Sequence, residues 1–217
     1  MIEAVIFDMD GLLIDSEPLW ARAYRAAFKT LGIQITDKDM VDIMGKRIPE
    51  SVEHFYRKYA VSGPAPKAME KLVEADMIAM IKQEGKLLPG VHHAFKVCRQ
   101  AGLPMAIASS SLNSMINAVM DTTGIRKYFE HIHSAEHEPF GKPHPGIFIT
   151  TAKLLGVIPE HCLVFEDSPS GVLAAKAAKM KCIAVPEPHV KSHPFIQIAD
   201  VILGSLGEFD KGILKTV

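Results

Sequence analysis

The chain is poor in cysteine and tryptophan and almost without net charge. Its three cysteines, Cys98, Cys162 and Cys182, are odd in number, widely spaced and set among apolar neighbours. That excludes a disulfide framework, and no pair has zinc-ligand spacing. They read as small buried hydrophobes of a reducing compartment. Formal net charge is −1, from 24 Lys and Arg against 25 Asp and Glu, so no basic field exists to gather nucleic acid or an anionic lipid surface. Any anionic ligand must be held by local donors and a metal. No apolar stretch is long enough to span a bilayer. The first residues include Glu3, and their apolar run stops at Asp8, a pattern unlike a secretory leader. The cytoplasm is the expected location, with no nucleic-acid or membrane partner. A monomer is expected rather than an obligate oligomer.

What is present is a folded composition, 48% apolar and 23% charged, which rules out a disordered chain. Ala4–Phe7, Met105–Ala108, Cys162–Phe165 and Cys182–Val185 are short continuous apolar runs, the pattern of strands buried on both faces of a parallel sheet. Val201–Leu203 is a possible fifth, and Ile132 marks a further short strand. Helical patterns lie between them. Residues 112–123 carry Met115, Ile116, Val119 and Met120 and end at Gly124. Pro145 starts a helix with Ile147, Phe148, Ala152 and Leu155, closed by Gly156, and residues 170–179 are Ala-rich. This alternation implies right-handed crossovers and an α/β fold with a doubly wound parallel sheet. The stretch from Asp15 to Glu84 shows no strand. It reads as helices over 17–31 (Ser16 as N-cap), 40–44, 49–59 and 66–81. The expected organisation is a catalytic core of residues 1–14 and 87–217, with 15–86 as an inserted α-helical module.

Open α/β sheets bind ligands at the carboxyl ends of their strands, and the chemistry-bearing residues follow strand runs here. Asp8 and Asp10 follow the first run, and Glu166 and Asp167 follow Cys162–Phe165. Each pair alone also fits a plain acidic turn or a helix N-cap. Two such turns brought side by side would gather up to four carboxylates, costly without a cation and suited to Mg²⁺. Ser109-Ser110-Ser111 opens a helix and offers hydroxyls and backbone N–H groups to an anion, with simple capping as the alternative. Lys142 stands in Gly141-Lys142-Pro143-His144-Pro145, where prolines stiffen the backbone that aims it. Phosphoryl transfer needs charge neutralisation and an in-line nucleophile. Asp8 is a competent nucleophile and Asp10 a candidate acid and base. The expected partner is a small phosphorylated metabolite.

These residues resemble the haloacid dehalogenase-like (HAD) phosphohydrolase superfamily over nearly the whole chain. Its first motif is matched by Phe7-Asp8-Met9-Asp10-Gly11, its second by Ser109, its third by Lys142 before Pro143, and its fourth by Glu166-Asp167-Ser168 with Gly171 beyond. The resemblance implies a phosphoaspartate on Asp8, acid–base work by Asp10, and phosphate contacts from Ser109, its neighbour Ser110 and Lys142. It implies Mg²⁺ held by Asp8, the Asp10 carbonyl and Asp167, with Glu166 binding directly or through water. The insertion resembles the family's C1 cap, which closes over the site and selects the substrate. From it, Arg47 and Lys46 are read as reaching substrate oxygens and Trp20 as covering a sugar face, or else as solvated charges and cap packing. Asn113 is placed at the pocket edge or as a helix cap. The run Asp8 to Trp20 is similar to the subgroup of β-phosphoglucomutase and of hexitol and 2-deoxyglucose-6-phosphate phosphatases. Its mutases carry histidine where Trp20 stands and lysine where Leu112 stands, so a sugar or sugar-alcohol phosphatase is expected ahead of a phosphosugar mutase. The second aspartate, Asp10, speaks against dehalogenation.

Overall fold

The computed structural model describes residues 1–217. Six strands form one sheet: β1 (Ala4–Phe7), β2 (Met105–Ser109), β3 (His131–Ser134), β4 (Cys162–Glu166), β5 (Lys181–Ala184) and β6 (Val201–Ile202). Their order is β3-β2-β1-β4-β5-β6, and every pairing is parallel. The doubly wound sheet expected from the sequence is the fold. The winding reverses between β1 and β4, paired with Phe7 beside Phe165, so the crevice for a ligand opens where these two strands end.

The two faces of β1 pack into separate apolar layers. Val5 and Phe7 point into one apolar layer with α5 (Val91–Gln100) and α6 (Asn113–Thr123). Ala4 and Ile6 point into another with α7 (Gly146–Leu155) and α8 (Pro169–Ala177). On the first face Phe7 stacks on Phe165, with ring centroids 4.9 Å apart and planes 5° apart, and meets Phe95 edge-on at 5.5 Å. On the second face small residues such as Ala4, Ala108, Ala174 and Ala184 let the helices lie close to the sheet.

Between β1 and α5 the chain forms α1 (Glu17–Lys29), α2 (Asp37–Ile43), α3 (Ile48–Lys58) and α4 (Pro66–Glu84), with no strand among them. Tyr24, Phe28 and Phe55 make an edge-on aromatic cluster inside this bundle. Its apolar interior is continuous with the first face of the sheet. The bundle's two chain crossings run side by side: Ile14 bridges Leu87, and the Asp15 N–H donates to the Lys86 carbonyl at 3.0 Å.

One helix was not read from the sequence, the short strand expected at Ile132 is present, and one expected cap differs. Helix α5 carries Val91, Ala94, Phe95 and Cys98 at helical spacing, yet its His92-His93 pair and ten-residue length hide it among loop signals. Strand β3 is a half-buried edge strand whose His131 and His133 flank the one apolar residue that stood out, Ile132. Ser16 does not cap α1 through its side chain; its hydroxyl serves Asp10 instead.

Candidate active site

Asp8 leaves the end of β1 with its N–H donated to the Phe165 carbonyl at 3.0 Å, so its position is set by the sheet. Lys142 reaches it from the loop before α7. Its buried Nζ donates to Asp8 Oδ1 at 2.5 Å, to Glu166 Oε1 at 2.6 Å and to the Ala108 carbonyl at 3.3 Å. Glu166 is wholly buried, and its other oxygen accepts the N–H groups of Asp167 and Ser168, each at 2.9 Å, and the Ser168 hydroxyl at 3.0 Å. The glycine of the fourth motif has a steric cause: a Cβ on Gly171 would fall 1.7 Å from Glu166 Oε1.

The carboxylates of Asp8, Glu166 and Asp167 present oxygens within 4.8 Å of one another. One buried ammonium faces these three acids. Burial, with Glu166 and Asp10 adding to it and Lys142 opposing, pushes the Asp8 carboxyl up to about 7. Burial, then Glu166, Asp8 and Glu17, hold Asp167 well above the ordinary carboxylate range. Burial alone would lower the Lys142 pKa, but Asp8 and Glu166 outweigh it and keep the ammonium charged. Glu166 is engaged at both oxygens, whereas no protein donor reaches the Asp167 carboxylate or the second oxygen of Asp8. An excess of buried negative charge with free carboxylate oxygens fits a hard divalent cation such as Mg²⁺.

Asp10 is turned away from this cluster. Its Oδ1 accepts the Ser16 hydroxyl at 2.9 Å and the Trp20 indole N–H at 3.1 Å; its Oδ2 accepts the Ser111 hydroxyl at 2.8 Å and, more weakly, that of Ser109 at 3.4 Å. Gly11 makes the turn possible at φ +70°, where a Cβ would lie 2.3 Å from Asp167 Oδ2. The three serines are not helix caps. Ser109 Oγ accepts the Ser111 N–H at 3.1 Å, Ser110 donates to the Gly45 carbonyl at 2.8 Å, and Ser111 serves Asp10.

Asp8, Asp10, Asp167, Ser110 and Ser111 form the floor of a small cavity of about 40 Å³, whose other walls come from the helical insertion, with Glu17, Trp20, Tyr24, Met40 and Lys46 among them. Lys142 and Ser109 lie beneath that floor. Trp20 lines the cavity, but its N–H is spent on Asp10. Two expected contacts fall elsewhere. The Arg47 guanidinium lies outside the cavity lining, donating to Glu50 Oε1 and to the Ala135 and Glu138 carbonyls at 3.2 and 2.9 Å. The Asn113 amide also lies outside it, donating to Glu136 and meeting His137. Glu17 had escaped attention, while Ser16 was read only as a helix cap and Ser111 only as an anion donor or cap; both hold Asp10. No protein donor reaches the Glu17 carboxyl, and burial, then Asp10, Glu187 and Asp8, push it up to about 8. Its only signal in the sequence was adjacency to the motif residues. Lys46 is the one cation in the cavity wall and forms no ion pair.

A doubly wound sheet with this set of acids and one lysine at its switch point defines a class: the chain belongs to the haloacid dehalogenase-like hydrolase family, whose model matches residues 2–179. It is a hydrolase. Among curated proteins it is 40% identical over 208 residues to hexitol phosphatase B of Escherichia coli K12, covering 95% of this chain and 94% of that one. It is 32% identical over 182 residues to the phosphorylated carbohydrates phosphatase of Thermotoga maritima, covering 84% of each. Among solved structures, β-phosphoglucomutase of Clostridium difficile superposes with a TM-score of 0.87 at 26% identity, over 99% of this chain and 96% of that one. No helix is long and apolar enough to cross a membrane.

Proposed function

We propose that this chain is a Mg²⁺-dependent cytoplasmic phosphatase of small sugar or sugar-alcohol phosphates that works through a phosphoaspartate on Asp8. The observation that carries the reading is the arrangement of Asp8, fixed by the sheet and Lys142, next to an Asp10 held by four side-chain donors in the same cavity. Asp8, Asp167 and the Asp10 carbonyl would hold Mg²⁺, which when bound neutralises charge on the phosphoryl group. A carboxylate oxygen of Asp8 bonds to phosphorus as the ester P–O bond breaks. Asp10 gives its proton to the leaving alkoxide. It then takes a proton from water, which attacks the aspartyl phosphate, releases orthophosphate and restores Asp8. Lys142 supplies a fixed positive charge beneath the reacting phosphate.

The names of the relatives support the substrate class, and the cavity agrees with it. Its upper wall offers the Glu17 carboxyl, the Ser51 hydroxyl and one cation, Lys46, amid Trp20, Tyr24, Met40 and Met44. That suits a polyhydroxylated chain with a single phosphate. A mutase must seat a second phosphate, and one unpaired lysine is a poor seat for a dianion. The helical insertion acts as the cap, and its Gly45 loop is fastened over the site by Ser110 and Ser170. The test is a screen of phosphorylated metabolites with and without Mg²⁺. Metal-dependent release of orthophosphate from hexose or hexitol phosphates is expected. Interconversion of β-glucose 1-phosphate without release would favour the mutase, and inertness toward every ester would refute both.

A further inference from the structure

Resting on that reading, we propose that the cap pair Arg47–Glu50 is a positioning strut that sets the loop carrying Lys142, so that seating the cap places the phosphate-binding lysine. Arg47 precedes α3 and Glu50 lies in its first turn. Glu50 Oε2 accepts the Arg47 N–H at 3.2 Å, and Oε1 accepts Arg47 Nε at 3.0 Å and Nη2 at 2.5 Å. The same Oε1 accepts the Gly141 N–H across the cap–core junction at 3.1 Å. The remaining nitrogen, Nη1, donates to the Ala135 and Glu138 carbonyls. One ion pair thus grips the core loop at both ends, just before β3's following turn closes and just before Lys142.

The fit at Gly141 is a second, steric observation. A Cβ there would stand 2.4 and 2.7 Å from the Glu50 oxygens and 2.8 Å from Arg47 Nε. The strut and the loop backbone are therefore in close contact, and a side chain at 141 would push the Glu50 carboxylate and the Arg47 guanidinium aside. The next residue is Lys142, followed by Pro143, whose ring restricts the backbone further. The lysine then threads through the interior to Asp8 and Glu166, so a shift of Gly141 shifts the ammonium. Arg47 and Glu50 side chains are 19% and 32% exposed. An isolated ion pair so exposed contributes little to stability; here its three backbone contacts on the core concern the placement of one loop.

Full-length Mg²⁺-loaded protein carrying Glu50→Ala, Glu50→Gln or Gly141→Ala tests this by three readings: hydrogen exchange at the Gly141 amide, kcat and KM on an ester the wild type hydrolyses, and orthophosphate affinity. Displacement of an oriented group by about an ångström costs up to about 100-fold. Glu50→Ala and Gly141→Ala are accordingly expected to lower kcat by about 10–100-fold and weaken orthophosphate binding in parallel. Glu50→Ala should also speed Gly141 exchange by about 10-fold or more. Glu50→Gln, which keeps the acceptor, should restore most of each. In a Lys142→Ala background Glu50→Ala should weaken orthophosphate binding no further. Unchanged kcat and Gly141 exchange in Glu50→Ala, or a loss that persists in full without Lys142, would overturn the strut. A wild type inert toward every ester would refute the phosphatase reading instead, and Gly141 exchange with orthophosphate affinity would still judge the strut.

Discussion

Replacing Asp8 by asparagine is expected to abolish turnover and, in the absence of metal, to stabilise the fold. Asparagine keeps the shape of the side chain, and its oxygen can still accept the Lys142 proton now given to Asp8 Oδ1. What disappears is one of three crowded carboxylates set against a single ammonium. The magnitude follows from linkage. The Asp8 carboxyl is raised from 3.8 to about 7 in the fold, and each tenfold change in proton affinity is worth about 1.4 kcal/mol. Ionising it at pH 8 therefore costs the metal-free fold about 2–4 kcal/mol. The folded chain holds this proton more tightly than the unfolded one. Its contribution is present in full below about pH 4 and is lost as pH rises through about 7. At about 2–4 °C per kcal/mol for a chain of this size, Asp8→Asn should raise the melting temperature by about 4–16 °C at pH 8 in chelator, and hardly at all near pH 4. Scanning calorimetry across that window is the assay. Mg²⁺ should raise the wild-type melting temperature more than the variant's, since it binds the folded carboxylates alone. An Asp8→Asn protein that melts at or below the wild-type temperature at pH 8 without metal would show that the acidic cluster is not under the electrostatic load argued here.

Three other changes bear on separate joints of the argument. Gly45→Ala puts a Cβ within 2.4 Å of Ser170 Oγ and 2.5 Å of Ser168 Oγ, at φ +76°. Cap closure should suffer and kcat/KM fall by about 100-fold; steady-state kinetics within twofold of wild type would contradict the fastening role of that loop. Lys46→Met should raise KM for a hexitol phosphate by about 10-fold through loss of a charged hydrogen bond, and an unchanged KM would remove Lys46 from the substrate contacts. Asp39 is buried in the cap: burial would raise its pKa, but hydrogen bonds from Lys58, Thr36 and Tyr59 outweigh it and hold the carboxyl well below its usual range. Its stabilisation is thus present above about pH 4 and lost as pH falls below that. Asp39→Asn should cost about 3 kcal/mol at pH 7 in urea unfolding, with the gap to wild type closing toward pH 2; a gap constant with pH would refute the ionic origin.

The parts of this molecule that were legible in its sequence are those encoded locally. A run such as Ala4–Phe7 is apolar on both faces because it is covered on both, and an acid directly after such a run stands where the sheet ends. Asp8, Ser109 and Asp167 could be read this way without knowing which strands pair. Lys142 was legible through its neighbours Gly141 and Pro143 rather than through any strand. The residues misplaced or missed depend on how the insertion docks, which no local pattern records. Arg47 looks like any basic residue at a helix start; that its guanidinium spans to Ala135 and Glu138 is a contact across 88 and 91 residues of chain. Trp20 was expected to face substrate, and does line the cavity, but the donor it offers is used by Asp10. That difference has a consequence for how specificity arises in this fold. Asp10 is held by two residues from the start of the insertion, Ser16 and Trp20, and two from the core, Ser109 and Ser111. On the proposed mechanism the proton donor would thus be shared between the sheet core and the helical insertion, and an insertion seated badly on a wrong substrate would withdraw half of the contacts that aim the acid.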